Sequence, residues 1–137
     1  METTAEEIMQ VLGLELAVPE AAEEVVYMMN EALQMEEMSF ILDGNPYVAR
    51  MMPTGSLEIE DISGMYYDWG EPEEDEVAGL PAEILFGEED GIQYEVINWL
   101  DIVPGISYSL ATYGEDLDGL DIAVIAGQVY EQMQGED

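Results

Sequence analysis

The chain contains no cysteine, no histidine and no lysine, and Arg50 is its one basic side chain. Without cysteine there is no disulfide, thiolate nucleophile or zinc–thiolate site, which suits a reducing compartment. Without histidine the commonest general base and metal ligand is missing. Without lysine, Schiff-base chemistry and the phosphate-holding lysine of P-loops are excluded. No apolar run approaches the roughly eighteen residues of a membrane span. The start, Met1 to Glu7, has neither a positive n-region nor a long apolar stretch, so a cytoplasmic location is expected.

What is abundant is carboxylate. Thirty-three Asp and Glu give a formal charge of −32 across 137 residues. Soluble domains ordinarily intersperse both signs, because like charges on a compact surface repel one another and weaken the folded state. High net charge keeps a chain unfolded only when apolar material is scarce. Here 48% of the residues are hydrophobic, spread along the whole length in periodic segments, so a packed core is expected.

Local patterns predict a single α+β domain over residues 1–137, with two N-terminal helices, an antiparallel sheet of hairpins and a C-terminal helix. Thr3 and Thr4 stand three residues before Glu6 and Glu7 in a capping-box spacing, predicting a short helix ended by Gly13. Pro19, early acidic residues, and Ala22, Val25, Val26, Met29 and Leu33 at helical spacing predict a second helix to about Glu37. Its outer stripe is Glu20, Glu24 and Glu31.

Beyond Met38 the period changes. Ser39–Leu42 and Tyr47–Met51 flank Asp43-Gly44-Asn45-Pro46 and predict a hairpin. Leu57-Glu58-Ile59-Glu60 alternates as a strand with Glu58 and Glu60 outward, and Met65–Trp69 is a candidate continuation. The stretch from Gly70 to Gly79 carries Glu71, Glu73, Glu74, Asp75 and Glu76 and reads as a solvated, mobile loop. A second hairpin joins Ala82–Phe86 to Ile92–Ile97 through the acidic turn Gly87-Glu88-Glu89-Asp90-Gly91. A strand over Ile106–Tyr113 and a helix from about Glu115 to Met133, opened by Glu115, Asp116, Asp118 and Asp121, complete the pattern.

The chemistry these residues offer is binding rather than catalysis. Asp116-Leu117-Asp118-Gly119-Leu120-Asp121 departs from the EF-hand register, so no metal site and no cofactor are expected. Pairs of carboxylates suited to glycoside hydrolysis arise by abundance alone, and the chain is not expected to be an enzyme. Arg50 is expected in a structural ion pair. Tyr66, Tyr67, Trp69 and Trp99 lack the cations of a nucleic-acid stacking platform and are expected in the core or an interface.

Charge density is the remaining clue. Duplex DNA carries about one charge per 1.7 Å, so 32 charges correspond to about 54 Å of duplex. A compact chain of this length is roughly 37 Å wide, and half its carboxylates on one face would supply about 0.4 charge per Å. In composition, size and near absence of cations the chain resembles the phage- and plasmid-encoded DNA mimics: antirestriction proteins of the Ocr and ArdA type, acidic anti-CRISPR proteins and uracil-DNA glycosylase inhibitors. The resemblance covers no aligned motif. It implies a noncatalytic inhibitor in the nucleic-acid-binding cleft of a bacterial defence complex, such as a CRISPR–Cas or restriction–modification enzyme. The expected contact carboxylates are Glu20, Glu24, Glu31, Glu58, Glu60, Glu71, Glu73, Glu74, Asp75, Glu76, Glu88, Glu89, Asp90, Glu115, Asp116 and Asp118, meeting a basic host protein and not nucleic acid or membrane. A homodimer would lengthen the acidic face. Adaptation to high salt, or an acidic chaperone for a basic DNA-binding protein, are the competing readings of the same charge.

Overall fold

The computed structural model describes residues 2–3, 22–30, 32, 35–42, 44–55, 58–59, 62, 72–77, 79–101, 105–115, 117 and 120–134. They form one antiparallel sheet and one helix. The strands are β1 (Glu2–Thr3), β2 (Glu23–Asn30), β3 (Met35–Leu42), β4 (Asn45–Pro53), β5 (Glu73–Val77), β6 (Leu80–Glu89), β7 (Ile92–Asp101) and β8 (Ile106–Gly114), and the helix is α1 (Ile122–Gln134). Their order in the sheet is β1-β2-β3-β4-β8-β7-β6-β5. Two meanders, β1–β4 and β5–β8, are thus joined edge to edge by their last strands.

The alternation of side chains gives the sheet two unlike faces. One face carries Met38, Phe40, Tyr47, Ala49, Met51, Ile97, Trp99, Tyr108 and Leu110, all buried. Onto this face α1 packs Ile122, Ala126, Val129 and Tyr130. Trp99 and Tyr108 stack at 5.2 Å, and Tyr130 meets Tyr108 edge-on at 5.2 Å. Such aromatic pairs are worth about 0.5–1.5 kcal/mol beyond their buried area. The Tyr130 hydroxyl donates to Asp101 Oδ2 at 3.0 Å, tying the helix to the end of β7. That bond and burial push the Tyr130 hydroxyl up to about 12, with burial the larger cause.

Two hairpins and the last strand lie where the sequence pattern puts them. The β6–β7 turn is tighter than the acidic run suggests: the ladder continues to Glu89↔Ile92, and Asp90 and Gly91 turn the chain at φ 53° and 80°. Two positive φ values in a two-residue loop match the twist of the flanking strands.

The expected helix from Pro19 to Glu37 is overturned. Its residues in Glu23–Asn30 form β2 and those from Met35 onward begin β3. Ala22, Val25, Val26 and Met29 fit a helical stripe, but Val25, Tyr27 and Met29 equally fit a strand. The β-branched and aromatic run Val25-Val26-Tyr27 favours the pleated surface when a neighbouring strand is there to pair. Glu24, at φ 52°, lies where the β2–β3 register shifts between Glu23 and Val26, and this irregularity blurs the two-residue period. Among the described residues there is no N-terminal helix, so the fold is a sheet with one C-terminal helix rather than an α+β arrangement opened by two helices. The first expected helix lies outside the described residues except Thr3, which belongs to β1.

Glu58 and Ile59, expected in a strand, are in neither strand nor helix. Within Gly70 to Gly79, expected as a loop, Glu73–Val77 pairs with β6. The final helix begins at Ile122, seven residues after its expected start. Asp121 precedes it, and its carbonyl accepts from Val124 and Ile125.

Candidate functional site

Register places the exposed carboxylates along two borders of the sheet. At one end lie the start of β2, with Glu23 and Glu24, the β6–β7 turn, with Glu88, Glu89 and Asp90, and Glu115 just past β8. The pairs Glu23↔Ile41, Leu42↔Asn45, Gln93↔Gly114 and Glu88↔Gln93 put these segments at the same end. From β2 to β6 there are five inter-strand steps, about 24 Å at about 4.8 Å each. The second border is the edge strand β5, whose Glu73, Glu74, Asp75 and Glu76 are all exposed. Four successive residues span about 10 Å of strand, with carboxylates leaving both faces. Of the described exposed acids, only Glu58 and Asp121 lie off these borders.

The six carboxylates of the end border amount to about 0.25 charge per Å, close to one strand of duplex at one charge per about 3.4 Å. Of the expected contact residues, the structure therefore gathers Glu24, Glu88, Glu89, Asp90 and Glu115 on the end, and Glu73, Glu74, Asp75 and Glu76 on the edge. Glu58 is exposed elsewhere. Glu20, Glu31, Glu60, Glu71, Asp116 and Asp118 lie outside the described residues.

The sheet face opposite α1 carries a second arrangement that sequence spacing alone does not show. Successive pairs Glu37↔Arg50, Arg50↔Ser109, Ser109↔Asn98, Asn98↔Glu83 and Glu83↔Glu74 line up a polar row across six strands. At one end Arg50 is fully engaged. Its Nη2 stands 2.7 Å from Glu37 Oε1, its Nε donates to the same oxygen at 2.8 Å, and its Nη1 donates to the Ile62 carbonyl at 3.2 Å. In the middle, Asn98 and Ser109 are 2% and 0% exposed, and neither Asn98 Oδ1 nor Ser109 Oγ has a hydrogen-bond partner. At the other end Glu83 and Glu74 border an open trough of 450 Å³, shared with Ile59, Glu76 and Pro81. The sequence signal was present: Asn98 is a lone amide inside the apolar run Val96-Ile97-Asn98-Trp99-Leu100.

Glu95 was not singled out by sequence either. It is 6% exposed on β7, on the face that α1 covers. Burial, with the negative charges of Glu73 and Asp121 nearby, raises its carboxyl from 4.5 to about 7. Burial likewise raises the Tyr108 hydroxyl.

Trp99 is a core residue, 1% exposed, while Tyr66, Tyr67 and Trp69 lie outside the described residues. Among the described residues no group of three or more acids is placed to hold a metal ion, and no helix is long and apolar enough to cross a membrane. No protein-family model, no curated protein and no solved structure matches this chain.

Proposed function

We propose that this chain is a noncatalytic inhibitor that occupies the nucleic-acid-binding cleft of a basic bacterial protein, a defence complex of the CRISPR–Cas or restriction–modification kind. The observation that carries this reading is the concentration of exposed carboxylates on the end and edge of the sheet, at an average linear density on the end close to that of phosphates along one strand. A cleft that binds DNA gains affinity by releasing counterions from phosphate. Carboxylates held at this end of the sheet present the same sign at a similar average density without any chemistry. Holding them on a sheet border avoids the entropy cost of ordering a flexible acidic tail at binding. That pre-ordering favours mimicry over an acidic chaperone, for which a diffuse shell suffices. Proteins of the host cytoplasm are the intended targets.

The test is capture of partners from bacterial lysate at low salt, followed by competition with duplex DNA. The reading requires captured nucleic-acid-binding proteins to lose duplex binding in proportion to the acidic chain added. Partners that retain full duplex binding while complexed would refute it.

A further inference from the structure

Beneath the start of α1 the sheet holds one carboxyl that its surroundings do not neutralise. Glu95 is 6% exposed and lies on the helix-covered face of β7, directly opposite Phe86 of β6 and Thr112 of β8. Phe86 carries no charge, and the Thr112 hydroxyl donates to the Pro46 carbonyl at 2.8 Å. Glu73 reaches the same face from β5, since it pairs with Ile84 and Ile84 pairs with Ile97. Asp121, the residue before α1, brings a second negative charge from the helix side. The positive end of the helix dipole lies at Asp121, whose own carboxylate offsets it. No basic side chain faces Glu95, because the only one in the chain, Arg50, is bound to Glu37 on the opposite sheet face.

The helix is anchored unevenly. Its far end is tied by the Tyr130 hydroxyl to Asp101 and by the edge-on contact of Tyr130 with Tyr108. Its start rests on Ile122 and Ala126 in the core, on the Leu117 amide donating to Gln93 Oε1 at 2.7 Å, and on local bonds from the Val124 and Ile125 amides to the Asp121 carbonyl. A charge on Glu95 could be stabilised by a counter-ion or by water. The chain supplies no counter-ion there, and water reaches the carboxyl only when its cover lifts.

We propose that the start of α1 is a proton-gated latch: with Glu95 neutral the first turns of the helix lie closed on the sheet, and ionisation of Glu95 lifts them while Tyr130 keeps the far end attached. The latch goes beyond the inhibitor reading and does not depend on it. In the closed state burial first, and then the charges of Glu73 and Asp121, raise the carboxyl from 4.5 to about 7. In the open state the carboxyl is hydrated and titrates near its ordinary value. The closed form therefore has its full advantage below pH 4.5 and loses it as pH rises through about 7. Between pH 5 and 8 the ratio of open to closed chains should rise roughly 50–100-fold.

The experiment follows amide hydrogen exchange of the full chain by NMR from pH 5 to 8, each rate divided by that of an unstructured amide at the same pH. Val124 and Ile125 should lose up to roughly 50–100-fold of their protection across this range. At pH 8 their exchange should be insensitive to low urea, whereas that of Ala49 and Leu110 in the middle of the sheet should respond steeply. Val129 and Tyr130 should stay better protected than Val124. Glu95→Gln, similar in shape and unable to ionise, should hold the pH effect within twofold. Glu73→Gln should reduce it to an intermediate value, and this variant carries the test alone if Glu95→Gln does not fold by circular dichroism. Loss of protection at Val124 and Ile125 only in step with Ala49 and Leu110, with the same urea dependence, would overturn the latch and leave global unfolding as the pH-sensitive event. A pH effect that survives Glu95→Gln, or one that Glu73→Gln does not move, would overturn it equally.

Discussion

Replacing Glu95 with glutamine separates one buried charge from the thirty-two other acids. In the folded chain the Glu95 carboxyl titrates at about 7, against 4.5 for an ordinary glutamate, because it is buried and flanked by Glu73 on β5 and Asp121 at the start of α1. The folded state therefore holds a proton that the unfolded state releases between these two values. Stability from this site is fully present below pH 4.5 and declines as pH rises, until the penalty is complete above about 7. At about 1.4 kcal/mol for each tenfold difference in proton affinity, the full effect is about 3 kcal/mol. Glutamine keeps the shape and cannot ionise. The two proteins should be nearly equal in stability at pH 4, and Glu95→Gln should be more stable by up to about 3 kcal/mol at pH 8. Urea unfolding at a series of pH values measures this, and subtracting the two curves cancels the repulsion among the remaining acids. A difference that stays flat from pH 4.5 to 7.5, or a variant less stable than the parent at pH 8, would refute the burial of Glu95 beside the negative charges of Glu73 and Asp121.

Other substitutions test the remaining features. Trp99→Ala removes the ring stacked on Tyr108 and should cost about 3–5 kcal/mol in denaturant unfolding. Gly105→Ala should cost at least about 1–2 kcal/mol, because φ is +73° there and an added Cβ would lie 3.0 Å from the Gly55 Cα. Arg50→Met breaks a partly buried ion pair and should cost only about 1 kcal/mol, so a loss of several kcal/mol would mean that the pair is far more desolvated than its 24% and 26% exposures indicate. Neutralising the hairpin tip together, with Glu88→Gln, Glu89→Gln and Asp90→Asn, should weaken binding to a captured partner about tenfold and flatten its dependence on salt. Unchanged affinity and an unchanged slope would remove the end border from the interface.

Hairpin signals were legible because turn residues and period-two alternation act locally: Asp43-Gly44-Asn45-Pro46 and the run from Gly87 to Gly91 mark the two turns, the second of which the structure narrows to Asp90-Gly91. The run from Glu23 to Asn30 was not legible, since helix and strand bury nearly the same subset of its apolar residues, and pairing with β3 decides between them. The acidic stretch Glu73-Glu74-Asp75-Glu76 conceals a strand for a related reason. The only buried side chain of that strand is Val77, so the four acids show no alternation, and their order comes from backbone bonds to β6. The exposed carboxylates themselves were readable one by one. Their gathering along an end and an edge depends on strand order, which no local pattern encodes. The polar row is further from reach, since it joins six positions between Glu37 and Ser109 that become neighbours only through five separate registers.

The solitary guanidinium also makes this protein its own gauge of opening. Trypsin cleaves after Arg or Lys, so the whole chain offers it one bond, Arg50–Met51. That bond lies inside β4, hydrogen-bonded on one side to β3 and on the other to β8. It cannot enter a protease cleft until the seam between the two meanders parts. Appearance of a single pair of fragments, residues 1–50 and 51–137, therefore clocks how often the middle of the sheet comes undone.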